Sequence, residues 1–434
     1  MCYKMGQFFS KKGKCVHRKH IYLYTINYIN QKNMVYRKND IECVLNRINK
    51  TIEEYNFNFT NSGFLEGNLG YCLYYYYCYL LLNNDSFIDK LSFHLEKSIN
   101  DINENNVEHY SPSHIVEIGR LLAFFVSEKI LDYTYLDEFV QSSESIVYTY
   151  LSRKVDDVNF DSIDGIISTG NYLLDLYELE DKKTKESIEL IVKIILENVL
   201  SDKNHYYWRF NFRDRKNPFI ELGIFHGMAG IVYFLSRIIK NHVCSSELVD
   251  IVQGACDFML SCQCNNNKFL FPLDSELKFG FPNSINLAYG DIGIGYALKT
   301  AGITINSSNI RDRGQFIIDR CANYKDSSNN EIRDAEFIYG ASGLLSFFDN
   351  ISTYEEKDRY KLPITYWIDK ILYFGCKETR WAGFETYMNG FREDVQYSFS
   401  HGLIGIATVL MCYYLNLPHK YLKLFSYESY IYKK

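Results

Sequence analysis

Two histidines stand at the same place in a recurring phrase. His226 precedes Gly227 in "HGMAGIVYFLSR", and His401 precedes Gly402 in "HGLIGIATVL". Tyr289 precedes Gly290 in "YGDIGIGYALKT" in the same way. Each glycine opens an apolar stretch of helical length. An imidazole changes charge near neutral pH, so a histidine at a helix N-terminus suits general acid–base work. Two histidines facing each other could also hold a metal, but without thiolate partners they make a poor zinc site. The other reading of His401 is a histidine whose partners are purely structural.

The phrase is a repeat. Its copies are "EGNLGYCLYYYY", "DGIISTGNYLLDL", "HGMAGIVYFLSR", "YGDIGIGYALKT", "YGASGLLSFF" and "HGLIGIATVL", with first glycines Gly67, Gly165, Gly227, Gly290, Gly340 and Gly402. Ser168 takes the place of the second glycine in the second copy. The intervals are 98, 62, 63, 50 and 62 residues. Halving the first places a further unit near residue 116, where "SPSHIVEIGRLLAFFVSEKIL" is an apolar helix containing Gly119. The period therefore implies seven units. Seven amphipathic stretches alternate with them, from "DIECVLNRINKTIEEY" to "EKDRYKLPITYWIDKILYF". The glycine-led helices are apolar nearly all round and must be buried on several sides; the others keep a solvated face and form an outer layer. Only six Pro occur, which suits a helical chain. The expected fold is all-α, a double-layered α/α toroid of seven inner and seven outer helices. All inner helices then run the same way, and their N-termini, with unpaired N–H groups and partial positive charge, gather at one mouth. The residues just before each first glycine line it.

The whole chain sets bounds. With 434 residues, 47% of them apolar, it is long enough for a large core, and a net charge of −6 gives no general case for nucleic-acid binding. The twelve Cys follow no regular framework and read as free thiols of a reducing cytoplasm. No secretory signal is visible, and the longest uncharged run, Gly67 to Asn84, is too short and too rich in Tyr to span a membrane. Residues 1–38 carry nine Lys or Arg and no acid. The expected division is a basic arm, residues 1–37, and a single toroid, residues 38–434. The arm is either a frayed terminus or a docking element for an acidic partner or a membrane surface. Two long aromatic loops, 201–222 and 265–287, precede the Gly227 and Gly290 units and should roof the mouth. Cys256, Cys262 and Cys264 are the densest thiol cluster, but their spacing puts them on different helix faces.

The motifs resemble those of the lanthionine synthetase C family, the lanthipeptide cyclases. "GIFHGMAGI" is similar to that family's Gly-x-x-His-Gly-x-x-Gly, "AYGDIGIGYAL" to its Trp-Cys-Tyr-Gly-x-x-Gly, and "FIYGASGLL" to its Cys-His-Gly-x-x-Gly-Leu. "FDSIDGIISTGNYLL" resembles the stretch that carries a functional Asp. The resemblance covers roughly residues 40–415. It implies closure of thioether rings in ribosomally made peptides: a Cys thiol adds to dehydroalanine or dehydrobutyrine, with zinc on two Cys and one His activating the thiol. Carried over position by position, it keeps His226 as the motif His, Asp161 as the functional Asp and Tyr289 as the Tyr before the glycine. Asp161 also reads as a helix-capping residue. The zinc ligands are absent. Ala288 stands at the first Cys position, Ile338 and Tyr339 at the Cys-His pair, Leu287 at the Trp, and Ser284 where an Arg is usual.

Two functions follow. One is a cyclase without the usual zinc site and without any cofactor, with His226, Asp161 and Tyr289 as catalytic residues and His401 contacting substrate. The other is an inactive peptide-binding or scaffold subunit. Either would work with a dehydrated precursor peptide and a dehydratase, in a complex that could include a transporter. The expected location is the cytoplasm, with peripheral membrane association through the arm. An α/α-toroid glycosidase or terpene cyclase is the weaker alternative, since no paired-carboxylate or Asp-rich metal motif is evident at the mouth.

Overall fold

A computed structural model describes residues 31–55, 57–104, 112–152, 158–179, 181–211, 218–243, 247–264, 268–273, 275, 284–326, 331–355, 358–387 and 392–427. The seven apolar stretches form helices α2 (Leu69–Leu82), α4 (Pro112–Ser127), α6 (Ile166–Glu178), α8 (Met228–Lys240), α10 (Asp291–Thr304), α12 (Ala341–Ser352) and α15 (Leu403–Tyr414). The helix expected near residue 116 is α4. Gly119 lies within it, against the Tyr172 ring of α6, where a Cβ would come within 2.3 Å of a ring carbon. The amphipathic stretches form α1 (Gln31–Tyr55), α3 (Ser86–Glu104), α5 (Tyr133–Ser152), α7 (Lys185–Glu197), α9 (Glu247–Ser261), α11 (Ser308–Ala322) and α13 (Lys361–Phe374), with a short α14 (Glu393–Tyr397) before the last unit. The all-α toroid of seven inner and seven outer helices is therefore the observed fold. Helix α1 begins at Gln31, within the stretch expected as the arm; residues 1–30 lie outside the described residues.

Each inner helix packs on the outer helix that follows it, and the last inner helix, α15, is covered by the first outer one, α1. Helix α15 also packs on α2, which closes the ring. Across this seam Cys78 Sγ lies 3.8 Å from Met411 Sδ. Arg37 of α1 reaches Asp369 of α13 at 3.2 Å.

The glycine phrase has a structural reason that does not involve left-handed backbone. The residues before α6, α8, α10, α12 and α15 are glycines in extended conformation, and no side chain caps the helix. A tight loop does the capping instead. The first helical N–H bonds to the carbonyl six residues before the glycine: Ile166 to Asn159 at 2.8 Å, Met228 to Glu221 at 2.9 Å, Asp291 to Ser284 at 2.9 Å, Ala341 to Asp334 at 3.1 Å. The same four residues accept, through their side chains, the N–H two positions on, at 3.0, 2.9, 3.3 and 3.1 Å. The glycine sits inside this loop. A Cβ at Gly165 would lie 2.5 Å from the Asn159 carbonyl oxygen, and one at Gly402 2.3 Å from that of Gln396. Only glycine allows that approach.

The axis of the ring is filled by the chain itself. After α15, residues 419–427 turn inward, with a 3₁₀ helix over Lys420–Phe425. Phe425 meets Phe64, Phe225, Phe337 and Phe399 from four different units, with centroids 4.9–6.2 Å apart. Arg120 of α4 holds the carbonyls of Lys423 and Leu424, both at 2.8 Å. Asp175 of α6 joins Arg120, Arg237 and Lys423 at 2.9–3.2 Å. Such buried charges are tolerable because each is paired.

The loop expected to roof the mouth over 201–222 does something else in its first half. A hairpin of β1 (Leu200–Asp202) and β2 (His205–Tyr207) packs on the outer helices. Tyr207 stacks on Phe258 of α9, and the Trp208 indole donates to the Ile195 carbonyl of α7 at 2.9 Å. Its return leg does approach the mouth, where Phe210 pairs with Phe219 and touches Phe160. Residues 212–217 and most of 265–283 lie outside the described residues. Helix α9 stops at Ser261, so Cys262 and Cys264 follow it in the connecting segment rather than on the helix.

Candidate active site

The loops that cap the inner helices are joined edge to edge. Ser162 N–H donates to the Phe225 carbonyl at 2.8 Å, Phe225 N–H to Ala288 at 3.3 Å, and Leu287 N–H to Ile338 at 3.3 Å. Ile338 N–H donates to Ser400 at 3.1 Å, and Ser400 N–H to Leu65 at 2.9 Å. This belt runs through six units and across the seam, mostly at the position two before each glycine. It fixes the backbone, so the residues one before each glycine are presented in a row.

That row is a palindrome in chemical type. In ring order it reads Asp164, His226, Tyr289, Tyr339, His401 and Glu66. Ring centroids are 5.0 Å apart for His226–Tyr289, 5.9 Å for Tyr289–Tyr339 and 5.6 Å for Tyr339–His401. The two tyrosine rings are parallel to within 1°. His226, Asp161 and Tyr289 thus share one site, as the sequence suggested, and His401 lies in the same row.

Each histidine is tied through Nδ1 to a carboxylate of the preceding unit. His226 Nδ1 lies 2.5 Å from Asp161 Oδ2. The other oxygen of Asp161 accepts the N–H of Ile163 at 2.6 Å, a bond within the loop before α6 rather than a cap on the helix. His401 Nδ1 lies 2.6 Å from Glu336 Oε2, and its Nε2 is 3.5 Å from Glu66 Oε1. Thr386 Oγ1 supports Glu336 Oε2 at 3.2 Å.

Charge follows from these contacts. Burial opposes the His226 imidazolium, but the Asp161 carboxylate outweighs it and holds the ring above the usual histidine value. Burial also opposes the charged form of His401; Glu336 and Glu66 overcome it and push the ring up to about 9. Burial raises both tyrosines, Tyr339 to about 12, so they are neutral phenols. Glu221, enclosed beside Gly227, is pushed by burial up to about 8.

Three of these groups were not singled out in the sequence: Glu66, Glu221 and Glu336. Glu66 stands before Gly67 as the histidines stand before theirs. Glu336 is four residues before Gly340, as Asp161 is four before Gly165. Glu221 is six before Gly227. Constant offset from the glycine is the signal that would have found them, and it adds carboxylates to Asp161 at a mouth where no paired-carboxylate motif was evident.

A family model for lanthionine synthetase C-like proteins matches residues 26–278 and 267–428, nearly the whole described chain. The chain belongs to the lanthionine synthetase C-like family. Among solved structures, nisin cyclase is similar over 91% of this chain and 98% of its own, with 17% identity and a TM-score of 0.67, which supports the shared fold. A polysaccharide lyase and a family 88 glycosyl hydrolase from Bacteroides vulgatus are each 10% identical with a TM-score of 0.36; they cover 65% and 64% of this chain and 83% and 84% of their own. Overlap that weak carries no argument. No curated protein matches.

The zinc implied for this family does not fit the residues at its expected place. Ala288 and Ile338 are buried belt residues without a donor atom, and the Tyr339 ring is stacked between Tyr289 and His401. A neutral phenol is a poor zinc ligand. Among the described residues no group of three or more His, Cys, Asp or Glu is arranged to hold a metal ion. None of the helices described is long and apolar enough to cross a membrane.

Proposed function

We propose that this lanthionine synthetase C-like protein closes thioether rings in dehydrated peptides, in lanthipeptide maturation, without a zinc ion. The Asp161–His226 pair in the aromatic row carries the reading. Asp161 fixes the tautomer with the proton on Nδ1, so the opposite ring nitrogen takes the proton from the Cys thiol. The imidazolium formed is stabilised by the same carboxylate. The inner-helix N-termini of the six belt units gather at the mouth and favour the thiolate and the enolate that follows. Thiol addition to a dehydroamino acid needs little beyond this and orientation. The partners in this reading are the precursor peptide and its dehydratase, with a transporter complex and the membrane surface as further docking sites for the basic arm. The cytoplasm is where these partners would meet.

The test uses a synthetic peptide with one dehydroalanine and one cysteine, and the purified protein with excess chelator. Ring formation should be faster than in buffer alone and unaffected by the chelator. His226→Ala should slow it by about 10²-fold or more while the thermal unfolding midpoint stays within a few degrees. No acceleration by the unaltered protein would favour the scaffold reading, in which the toroid binds the precursor or the dehydratase without turnover.

A further inference from the structure

The mouth holds two versions of one device, and only one has a role so far. Asp161 is four before its glycine, and His226 one before the next. Glu336 and His401 repeat this relation three units further on. Both pairs are separated by 65 residues, and both bond carboxylate to Nδ1. They differ in their surroundings. The side chains of His226 and Asp161 keep 20% and 14% of their exposure, whereas those of His401 and Glu336 keep 5% and 1%. His401 also has a second carboxylate, Glu66, on its Nε2 side at 3.5 Å, the long end of the hydrogen-bonding range. Glu66 is in turn 3.9 Å from Arg392. Glu66 is the outer of the two carboxylates, its side chain 35% exposed.

We infer that His401 is a second catalytic residue, the proton donor to the substrate α-carbon, with Glu336 as its positioning residue. The inference rests on the cyclase reading above. Its balance is simple. His226 takes the thiol proton. The S–Cβ bond forms as the Cα=Cβ π bond breaks, and that electron pair moves onto Cα and its carbonyl. His401 then delivers the proton on Nε2 to Cα. The reaction leaves an extra proton on His226 and a missing one on His401, and water restores both. Two carboxylates around one buried ring keep it cationic at neutral pH, which a donor requires and a base does not. Tyr289 and Tyr339, neutral and parallel, space the two histidines and present a flat wall to the dehydroamino acid.

A fixed donor protonates one face of the enolate, so stereochemistry reads its presence. The synthetic dehydroalanine–cysteine peptide is cyclised in D₂O, and the product is hydrolysed and its α-carbon configuration resolved chromatographically. The unaltered protein should give one configuration with deuterium at that carbon. His401→Gln should slow ring closure by about 10²-fold and give a mixture of configurations. His226→Ala should be slow but keep the single configuration in what it makes, which separates the two roles. Should His401→Gln fail to fold, Glu336→Gln carries the same test: loss of its charge should bring the mixture. A single configuration and an unchanged rate in either folded variant overturns the inference and leaves the cyclase reading in place. No acceleration by the unaltered protein overturns both.

Discussion

Glu221 is the group whose ionisation should matter most to stability. Its Oε1 accepts the Gly223 N–H at 2.9 Å, while Oε2 is buried without a hydrogen-bond partner among the described residues. The folded value, about 8, lies above the 4.5 of an ordinary glutamate. The folded state therefore binds the proton more tightly than the unfolded one. That stability is fully present below pH 4.5 and is lost as pH rises through 8. Glu221→Gln keeps the acceptor and removes the charge. Its melting temperature should fall less than that of the parent between pH 5 and 9, with a difference on the order of a few kcal/mol at the alkaline end. Parallel melting curves for the two proteins would mean that Glu221 is solvated. The sequence made His226, Tyr289 and Asp161 legible because each lies in a motif or beside a glycine. Glu221 and Glu336 stand outside the motifs, six and four residues before their glycines, so only that offset pointed to them. Tyr339 was read as an absent ligand, although its ring completes the stack.

Helices α10 and α11 touch backbone to backbone. A Cβ at Gly314 would lie 2.3 Å from the Lys299 amide nitrogen, and one at Gly302 2.2 Å from that of Arg311. Helix propensity alone favours alanine over glycine by about 1 kcal/mol. Here the contact decides otherwise. Gly314→Ala must push the helices apart and should cost about 1–3 kcal/mol, seen as a lower denaturant midpoint with unchanged slope. A stabilised variant would show that this pair is not packed so closely. At this scale most of the fold could be read in advance. The hydrophobic pattern separates inner from outer helices, and the period recovers α4 although its unit has lost the phrase. The β1–β2 hairpin was hidden because three-residue strands leave no periodicity, and the loop was expected to be a roof because it precedes the Gly227 unit. Tyr207 and Trp208 instead pack on α9 and α7, and only Phe210 and Phe219 come back towards the mouth.

The toroid is closed by α15 packing on α2 beneath α1, and its axis is filled by residues 419–427. Phe425 sits among four phenylalanines directly beneath the belt. Phe425→Ala should cost about 3–5 kcal/mol and lower the melting temperature. It should also slow ring closure, since the loops that present His226 and His401 rest on the same cluster. A loss of stability with full activity would separate floor from site. Nothing in the amphipathic pattern announced this plug, because its apolar residues face a hole that exists only once the ring has formed. The seam has a consequence for how the protein comes into being. Glu66 meets His401, and Leu65 meets Ser400, across the whole length of the ring. During synthesis the first units must wait, with α1 lacking α15 and the belt two links short, until the seventh has left the ribosome. A chain interrupted before then holds the Asp161–His226 pair but neither the floor nor the second histidine. In the cyclase reading, the full site therefore exists only in a finished molecule.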